Sequence, residues 1–174
     1  MNRSKKIIII SHCILNQNSV VKPYARKQDE FLKFLQNKIL KNYGIIQLPC
    51  PEINILGLKR WGHVKDQFEY SGFVNESKKM LLPIVNQIKD YLKNGYEIEG
   101  IYGISGSPSC GVNKTCRADW EGETSCYESL EDIRGRVKLV SEKGVFMEVL
   151  ESILKEKNIS LNFYDVEEWS EKVD

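Results

Sequence analysis

Three cysteines in this chain occupy equivalent places relative to short apolar segments. Each one follows such a segment: Cys13 comes after KKIIIIS (5–11), Cys50 after GIIQLP (44–49) and Cys110 after IEGIYGI (98–104). Apolar runs without polar alternation are typical of strands that are covered on both faces of a parallel sheet. Ligands of such sheets bind in the crevice outside the carboxyl ends of the strands. If these strands are neighbours, the three thiols lie together in that crevice.

Three convergent thiolates have the chemistry of a soft metal site, because thiolates favour zinc or iron–sulfur clusters over magnesium or calcium. Two groups are compatible with them. One is a zinc ion with an open coordination position, and the other is a 4Fe-4S cluster with one iron left open. An open iron is a Lewis acid that can take a substrate sulfur or oxygen. Each cysteine taken alone has a plainer interpretation as a small buried hydrophobic residue.

A carboxylate and two serines stand beside these cysteines in the sequence. Glu52 follows Pro51 at the end of the second predicted strand, so its carboxylate could act as an acid or base in the crevice. It is equally suited to a helix start, where a negative charge is favourable. Ser107 and Ser109, within GSPSC, are candidates for orienting substrate or water, although serine beside glycine and proline is also ordinary turn chemistry.

Histidines and a basic loop are further candidates. His12 adjoins Cys13 and could be a ligand or proton carrier, or simply a partly buried histidine. His63 lies on a loop that could reach the site, and most such histidines are solvated. In the same loop, Lys59, Arg60 and Trp61 could stack on and neutralise an anionic nucleotide. An exposed loop with a snorkelling lysine explains them equally well.

Amide groups near the cysteines could bind a cluster or a carbonyl substrate. Asn16 and Asn18 follow Cys13, and the turn at 107–112 could form a nest of backbone N–H groups that binds anions. The glycine-rich run that contains this turn lacks the Gly-Lys-Ser/Thr ending of a phosphate loop, so nucleotide hydrolysis has little support.

Cys116 and Cys126 remain, in a long polar stretch at 112–142, and neither follows a predicted strand. The default expectation is that neither is functional. The alternatives are a transient disulfide between them or a thiol that relays sulfur.

The elements that must position these groups alternate between strands and helices. Apolar residues recur at helical spacing in three segments between the predicted strands: 24–44, 73–95 and 144–158. SLNFYDV (160–166) predicts a fourth strand, and Pro83 predicts a kink or a break into two helices. This order favours an α/β fold, an open three-layer sandwich with a mostly parallel, Rossmann- or flavodoxin-like sheet. We expect one domain over 1–174, with a polar lid-like excursion at about 112–142.

Composition narrows the class of protein. The chain has 25 basic and 24 acidic residues, so it shows no strong sign of nucleic-acid binding. No apolar run approaches the roughly 20 residues of a membrane span, and the N-terminal apolar run is better explained by a strand than by a signal peptide. Five cysteines, an odd number, favour free thiols or ligands in a reducing cytoplasm. The oligomeric state cannot be deduced from the sequence.

Four motifs of the chain resemble those of the 2-thiouracil desulfidase (TudS) family, in particular a TudS-related branch of desulfidases: SHCILN, CPEINILGL, GSPSCG and EKGVFMEVL. The resemblance implies a Rossmann-like domain that holds a 4Fe-4S cluster through Cys13, Cys50 and Cys110. The implied reaction removes sulfur from a small thiolated base, releases sulfide and leaves a carbonyl. It also implies that Glu52 serves as acid or base and that Ser107 or Ser109 orients substrate or water.

Two segments depart from the family pattern. The chain has NQNSVVKPYAR where members have a Val-Arg-Tyr-Asp-Gly-like segment, and ILGLKRWGH where they have Gly-Gly-Leu and Pro-Arg. The physiological substrate is therefore left open. Two other functions compete with a desulfidase. One is a metal-free hydrolase with Cys110 as nucleophile, activated by His12 or His63. The other is a non-catalytic flavodoxin-like binding module with a structural zinc.

Overall fold

The computed structural model describes residues 3–25 and 29–166. Residues 26–28, which fall inside the helix predicted at 24–44, lie outside the described residues. In chain order the elements are β1 (Lys6–Ile10), α1 (His12–Leu15), α2 (Asp29–Leu40), β2 (Gly44–Gln47), α3 (Pro51–Leu56), α4 (Ser71–Lys93), β3 (Glu97–Gly103), β4 (Thr115–Arg117), α5 (Leu130–Gly135), β5 (Lys138–Val140), α6 (Val145–Glu156) and β6 (Phe163–Asp165).

The main sheet is parallel. Within the described residues it has four strands in the order β2-β1-β3-β6, so all four strands predicted from the apolar runs are present in it. β1 lies at the centre, where Ile9 pairs with Ile46 on one side and Ile101 on the other. The predicted α/β fold with a mostly parallel, Rossmann-like sheet is confirmed.

Helices cover both faces of this sheet, which explains why the first strand shows no polar alternation. Ile7 and Ile9 pack with the apolar faces of α4 and α6, whereas Ile8 and Ile10 pack with α2 on the opposite side. Successive side chains of a strand point to opposite faces, so both sets must be apolar when both faces are covered. The result is a three-layer sandwich.

Helix α4 runs without interruption through Pro83, so the predicted break into two helices is wrong. Pro83 lies on the exposed side of the helix. A proline there removes one backbone donor, and the carbonyl that loses this donor can be hydrated on the exposed side. No helix among the described residues is both long enough and apolar enough to cross a lipid bilayer.

The excursion, residues 112–142, has its own small antiparallel sheet. β4 pairs with β5, and α5 lies between them in sequence. Ion pairs attach the excursion to the rest of the molecule. Arg117 contacts Asp66 at 2.8 Å and Glu69 at 2.6 Å, and the buried Lys65 contacts Glu142 at 2.8 Å.

Candidate active site

The carboxyl ends of β1, β2 and β3 open onto a cavity of about 420 Å³, and Cys13, Cys50 and Cys110 all line it. Each thiol is placed by the element that follows its strand. Cys13 lies in the short helix α1, and Cys50 immediately precedes α3, whose first residue is Pro51. Proline suits that first position because its missing N–H would have no helical partner there. The structure therefore brings together the three cysteines that the strand ends predicted.

Cys110 lies in a turn whose conformation is fixed by its own hydrogen bonds. The Ser107 hydroxyl accepts the backbone N–H groups of Cys110 (3.0 Å) and Ser109 (3.3 Å), and the Ser107 carbonyl accepts that of Gly111 (3.1 Å). The N–H of Val112 is bonded to the Ile104 carbonyl at 3.2 Å. The expected anion-binding nest is therefore wrong for these amides, because they are already bonded within the protein.

The first residues of α6 hold the same turn through backbone hydrogen bonds. The backbone N–H of Val145 donates to the Pro108 carbonyl and that of Phe146 to the Ser109 carbonyl, each at 3.0 Å. Gly144 allows this approach, because a Cβ atom there would lie 2.5 Å from the backbone carbon of Ser109. The motif EKGVFMEVL thus has a structural reason, since it holds the turn that carries Cys110.

Burial raises the pKa of all three thiols. It raises the pKa of Cys13 to about 12, and the neighbouring Cys50 and Glu52 push it in the same direction. Burial also raises the pKa of Cys50. Cys110 is 8% exposed, and burial, reinforced by Cys13 and Cys50, raises its pKa well above the ordinary value. Thiolates in this buried cavity therefore need a compensating positive charge.

Glu52 is held by groups on both of its oxygens. The guanidinium of Arg60 donates from Nε to Oε2 at 2.8 Å, and the Ser109 hydroxyl donates to Oε1 at 2.7 Å. A hydroxyl has one hydrogen, so at the 3.3 Å contact between the two serines the donor is Ser107. The result is a chain from Ser107 through Ser109 to Glu52, at the edge of the thiol cluster.

Arg60 is a cavity residue whose surroundings differ from the sequence-based expectation. Its side chain is only 4% exposed, and it also donates to the carbonyl of Ser19 at 2.6 Å. It is therefore committed to Glu52 rather than presented to an anionic ligand, and that expectation is wrong for Arg60. Trp61 is 87% exposed and Lys59 is exposed as well, in agreement with an exposed loop.

Both histidines line the cavity, and one ring nitrogen of each contacts a neighbour other than a thiol. Nε2 of His12 lies 3.2 Å from the amide nitrogen of Asn16, which in turn lies near Asn18. Nδ1 of His63 lies 2.9 Å from the Trp61 carbonyl. These contacts place the two asparagines around His12, away from the cavity lining.

Cys116 also lines the cavity, although the default expectation from the sequence was that it has no function. It lies on β4 opposite Leu139 of β5, and both side chains line the cavity. Its thiol lies 3.6 Å from the carbonyl of His63, and burial raises its pKa. Cys126 is exposed and outside the cavity, and both thiols are free.

The three thiols can be compared with the ligands that a single metal ion and a cluster require. Among the described residues, no three His, Cys, Asp or Glu side chains converge so as to hold one metal ion. A 4Fe-4S cluster spreads its cysteine ligands over different irons, so its thiolates need not meet at one point. The cavity that Cys13, Cys50 and Cys110 share fits that requirement.

Comparison with known proteins gives one informative relative. Over 112 residues the chain is 39% identical to "Uncharacterized protein MJ0003" of Methanocaldococcus jannaschii, an alignment that spans 64% of this chain and 71% of that protein. No family model matches the chain, and no solved structure matches it significantly. The identity and its extent show that the chain belongs to the same family as this archaeal protein.

Proposed function

We propose that this protein is an iron–sulfur-dependent desulfidase related to the TudS family. In this proposal it removes sulfur from a thiolated nucleobase or related thioamide in the cytoplasm, releases sulfide and leaves a carbonyl. The observation that carries the proposal is the single cavity lined by Cys13, Cys50 and Cys110 together with Glu52. The reaction balances without an oxidant or reductant, because water supplies the oxygen and the sulfur leaves as sulfide.

The chemistry of the thiols supports a resident 4Fe-4S cluster. Burial raises the pKa of these thiols, so they lose their protons readily only when the resulting thiolate binds a strongly positive partner. The iron ions of a bound cluster would be that partner. When bound, the cluster supplies a Lewis-acidic iron that polarises the thiocarbonyl of the substrate.

The protein's own contribution to catalysis centres on Glu52. Arg60 holds this carboxylate in place through a charge-assisted hydrogen bond at 2.8 Å, and in this proposal Glu52 accepts a proton from the attacking water. Ser109 fixes the orientation of Oε1. Once protonated, Glu52 can return the proton to the departing sulfur. Ser109 is thus a positioning residue, while Ser107 supports it and holds the turn of Cys110.

The metal-free hydrolase has less support. A cysteine nucleophile needs a lowered pKa or an adjacent base. The pKa of Cys110 is instead raised, and its hydroxyl neighbour is Ser109 at 3.6 Å. The ring nitrogens described for His12 and His63 contact Asn16 and the Trp61 carbonyl, not the Cys110 thiol. A structural zinc module has less support too, because the described ligands do not converge on one point.

Anaerobic reconstitution with iron and sulfide tests the cluster directly. We expect the wild type to become brown and to retain the iron of one 4Fe-4S cluster per chain. Cys13→Ser, Cys50→Ser and Cys110→Ser should each lose it, because each removes one of three thiolate ligands. Cys126→Ser is the matched control, since that thiol is exposed and lies outside the cavity. A colourless wild type, or a cluster indifferent to the three serine variants, would contradict the proposal.

Substitution of the carboxylate separates catalysis from cluster binding. Glu52→Gln should keep the visible spectrum of the wild type and lower kcat for sulfide release by about 10²–10⁴-fold, as expected for loss of a general base. Glu121→Gln changes a carboxylate that is exposed in the excursion and should leave kcat unchanged. Equal rates for Glu52→Gln and wild type would remove Glu52 from the mechanism.

A further inference from the structure

His63 lines the cavity, and contacts with the protein limit the movement of its imidazole ring. The ring stacks on Phe68, with the two centroids 5.1 Å apart and the planes at 21°. Phe68 is 1% exposed and stacks in turn on Phe73 at 4.3 Å, so His63 lies on a buried aromatic support. The backbone carbonyl of His63 also lies 3.6 Å from the thiol of Cys116. The residue is therefore held in place before any ligand enters.

The contact with the Trp61 carbonyl determines which ring nitrogen of His63 carries the hydrogen. Nδ1 lies 2.9 Å from that carbonyl oxygen. A carbonyl oxygen only accepts, so Nδ1 is the donor, and the neutral ring carries its single N–H there. Nε2 then keeps a lone pair, and among the described residues it has no hydrogen-bond partner. His63 therefore has a neutral acceptor nitrogen available at the cavity wall.

Two other acceptor side chains of the cavity are already bonded within the protein. Nε2 of His12 lies 3.2 Å from the amide nitrogen of Asn16. Both oxygens of Glu52 accept hydrogen bonds, one from an arginine and one from a serine. Of these three side chains, His63 is the one whose acceptor atom lacks a partner among the described residues.

We propose that Nε2 of His63 accepts a hydrogen bond from the N–H beside the thiocarbonyl of the substrate, and so selects thioamides that keep this hydrogen. The identification of the ligand as a thioamide rests on the proposed desulfidase function. In a pyrimidine this N–H is at N3, the nitrogen that adjoins both carbonyl positions and therefore the sulfur at either one. A methyl group on N3 leaves Nε2 without a donor, and a site built for an N–H discriminates against such a ligand. His63 belongs to ILGLKRWGH, in which the chain departs from the TudS pattern, so the resemblance assigns it no role.

Two isomeric ligands that contain no sulfur test this selection by equilibrium binding, independently of turnover. 1-Methyluracil keeps the hydrogen on N3 and 3-methyluracil lacks it, although the two compounds have the same composition and the same number of methyl groups. Calorimetric titration of the protein after reconstitution measures their dissociation constants. We expect the wild type to bind 1-methyluracil about tenfold more tightly than 3-methyluracil, which is the effect of one hydrogen bond.

Two substitutions of His63 separate recognition from a structural role. In His63→Gln the side-chain oxygen can lie near the position of Nε2, whereas in His63→Asn the amide replaces Nδ1 and can still donate to the Trp61 carbonyl. We expect the ratio of the two dissociation constants to stay within about threefold of wild type in His63→Gln and to fall to about one in His63→Asn. Trp61→Phe is the control and should keep the wild-type ratio, since that side chain is 87% exposed and does not line the cavity.

The outcomes separate the role of His63 from the function on which it depends. A ratio that survives in His63→Asn, or that falls equally in both variants, would overturn the selection. So would a wild type that binds neither compound, binds both equally or prefers 3-methyluracil, even if sulfide is released. Failure to form a cluster or release sulfide, with the expected ratios intact, would instead overturn the desulfidase and leave the hydrogen bond to His63 standing.

Discussion

The body and the excursion of this protein differ in how far apolar burial stabilises them. The body, meaning the parallel sheet with α2, α3, α4 and α6, is stabilised by apolar burial: Ile8, Ile9, Phe73 and Phe146 are all completely buried. The excursion buries Val112 and Thr115 but leaves Leu130 and Leu139 largely exposed, and ion pairs of Arg117 and Lys65 join it to the body. Burial of apolar surface is the larger and less salt-sensitive of these contributions.

This division has a consequence for the proposed reaction. Groups assigned to chemistry, namely the three cysteines and Glu52, lie on the body, where burial fixes their positions. The excursion supplies Val137, Leu139 and Cys116 to the cavity, and its Lys114 and Thr115 are hydrogen-bonded to Gly106 and Ser107 of the turn that carries Cys110. In the proposed reaction the chemical groups therefore belong to the body, and the excursion contributes the part of the cavity lining that its own residues form.

The largest difference between the two regions is expected from truncating a buried and an exposed apolar residue. Phe146→Ala should lower the free energy of unfolding by about 3–5 kcal/mol, because it opens a cavity between α6 and the sheet. Leu139→Ala should change it by less than about 0.5 kcal/mol, since the side chain is already exposed. Urea denaturation followed by circular dichroism measures both. Similar values for the two variants would contradict the division.

A second, smaller loss of stability is expected at the ion pair of the site. Arg60→Gln removes the cation beside Glu52 and leaves a carboxylate that is only 14% exposed without its charge partner. Breaking such a pair should cost about 3 kcal/mol, the low end for a buried pair, since Glu52 keeps some contact with solvent. Lys59→Gln, next in sequence but exposed, is the matched control and should be neutral. If both variants had the same denaturant midpoint, the ion pair between Arg60 and Glu52 would not stabilise the protein.

Features of the body could be predicted because they follow from local patterns. The apolar run at 7–10 identified a strand covered on both faces, and the order of strands and helices then identified a parallel sheet. Once the sheet was predicted, the places of Cys13, Cys50 and Cys110 followed from the common edge at which parallel strands end. The predicted break at Pro83 failed because its cost depends on exposure, which the sequence does not reveal.

The remaining features depend on contacts between distant segments. Cys116 lies on a strand of three residues, too short to show a periodic pattern, and it reaches the cavity through pairing with β5. The ion pair of Arg117 with Asp66 joins residues 51 positions apart. A charged residue has many possible partners at such distances, and the sequence alone does not select one. The surroundings of Arg60 were predicted wrongly for the same reason, because its hydrogen bonds to Ser19 and Glu52 cannot be read from the sequence.

Loosening of the excursion alone is expected from the ion pairs of Arg117. Arg117→Gln removes contacts to Asp66, Glu69 and Glu142, all partly exposed, so the loss should be about 1 kcal/mol, or about fivefold in the population of opened excursion. Hydrogen exchange should show faster exchange in β4 and β5 and unchanged exchange in β1. Arg136→Gln breaks an ion pair inside the excursion and is the control. Equal acceleration in β1 would mean that the two regions open together.

The smallest expected effect is a dependence of that opening on pH and salt. Hydrogen bonds from Arg117 and Lys65 lower the pKa of Glu142 from 4.5 to about 2. A carboxyl whose pKa is lowered by folding stabilises the folded form when the pH is above its ordinary pKa. This contribution is lost as the pH falls towards the lowered pKa. Protection of β4 and β5 amides, corrected for intrinsic exchange, should therefore decrease between about pH 5 and about pH 2 while that of β3 changes less. Because Glu142 is well exposed, added salt should reduce the difference between the two pH values. Protection of β5 that is independent of both pH and salt would mean that apolar contacts, not ion pairs, attach the excursion to the body.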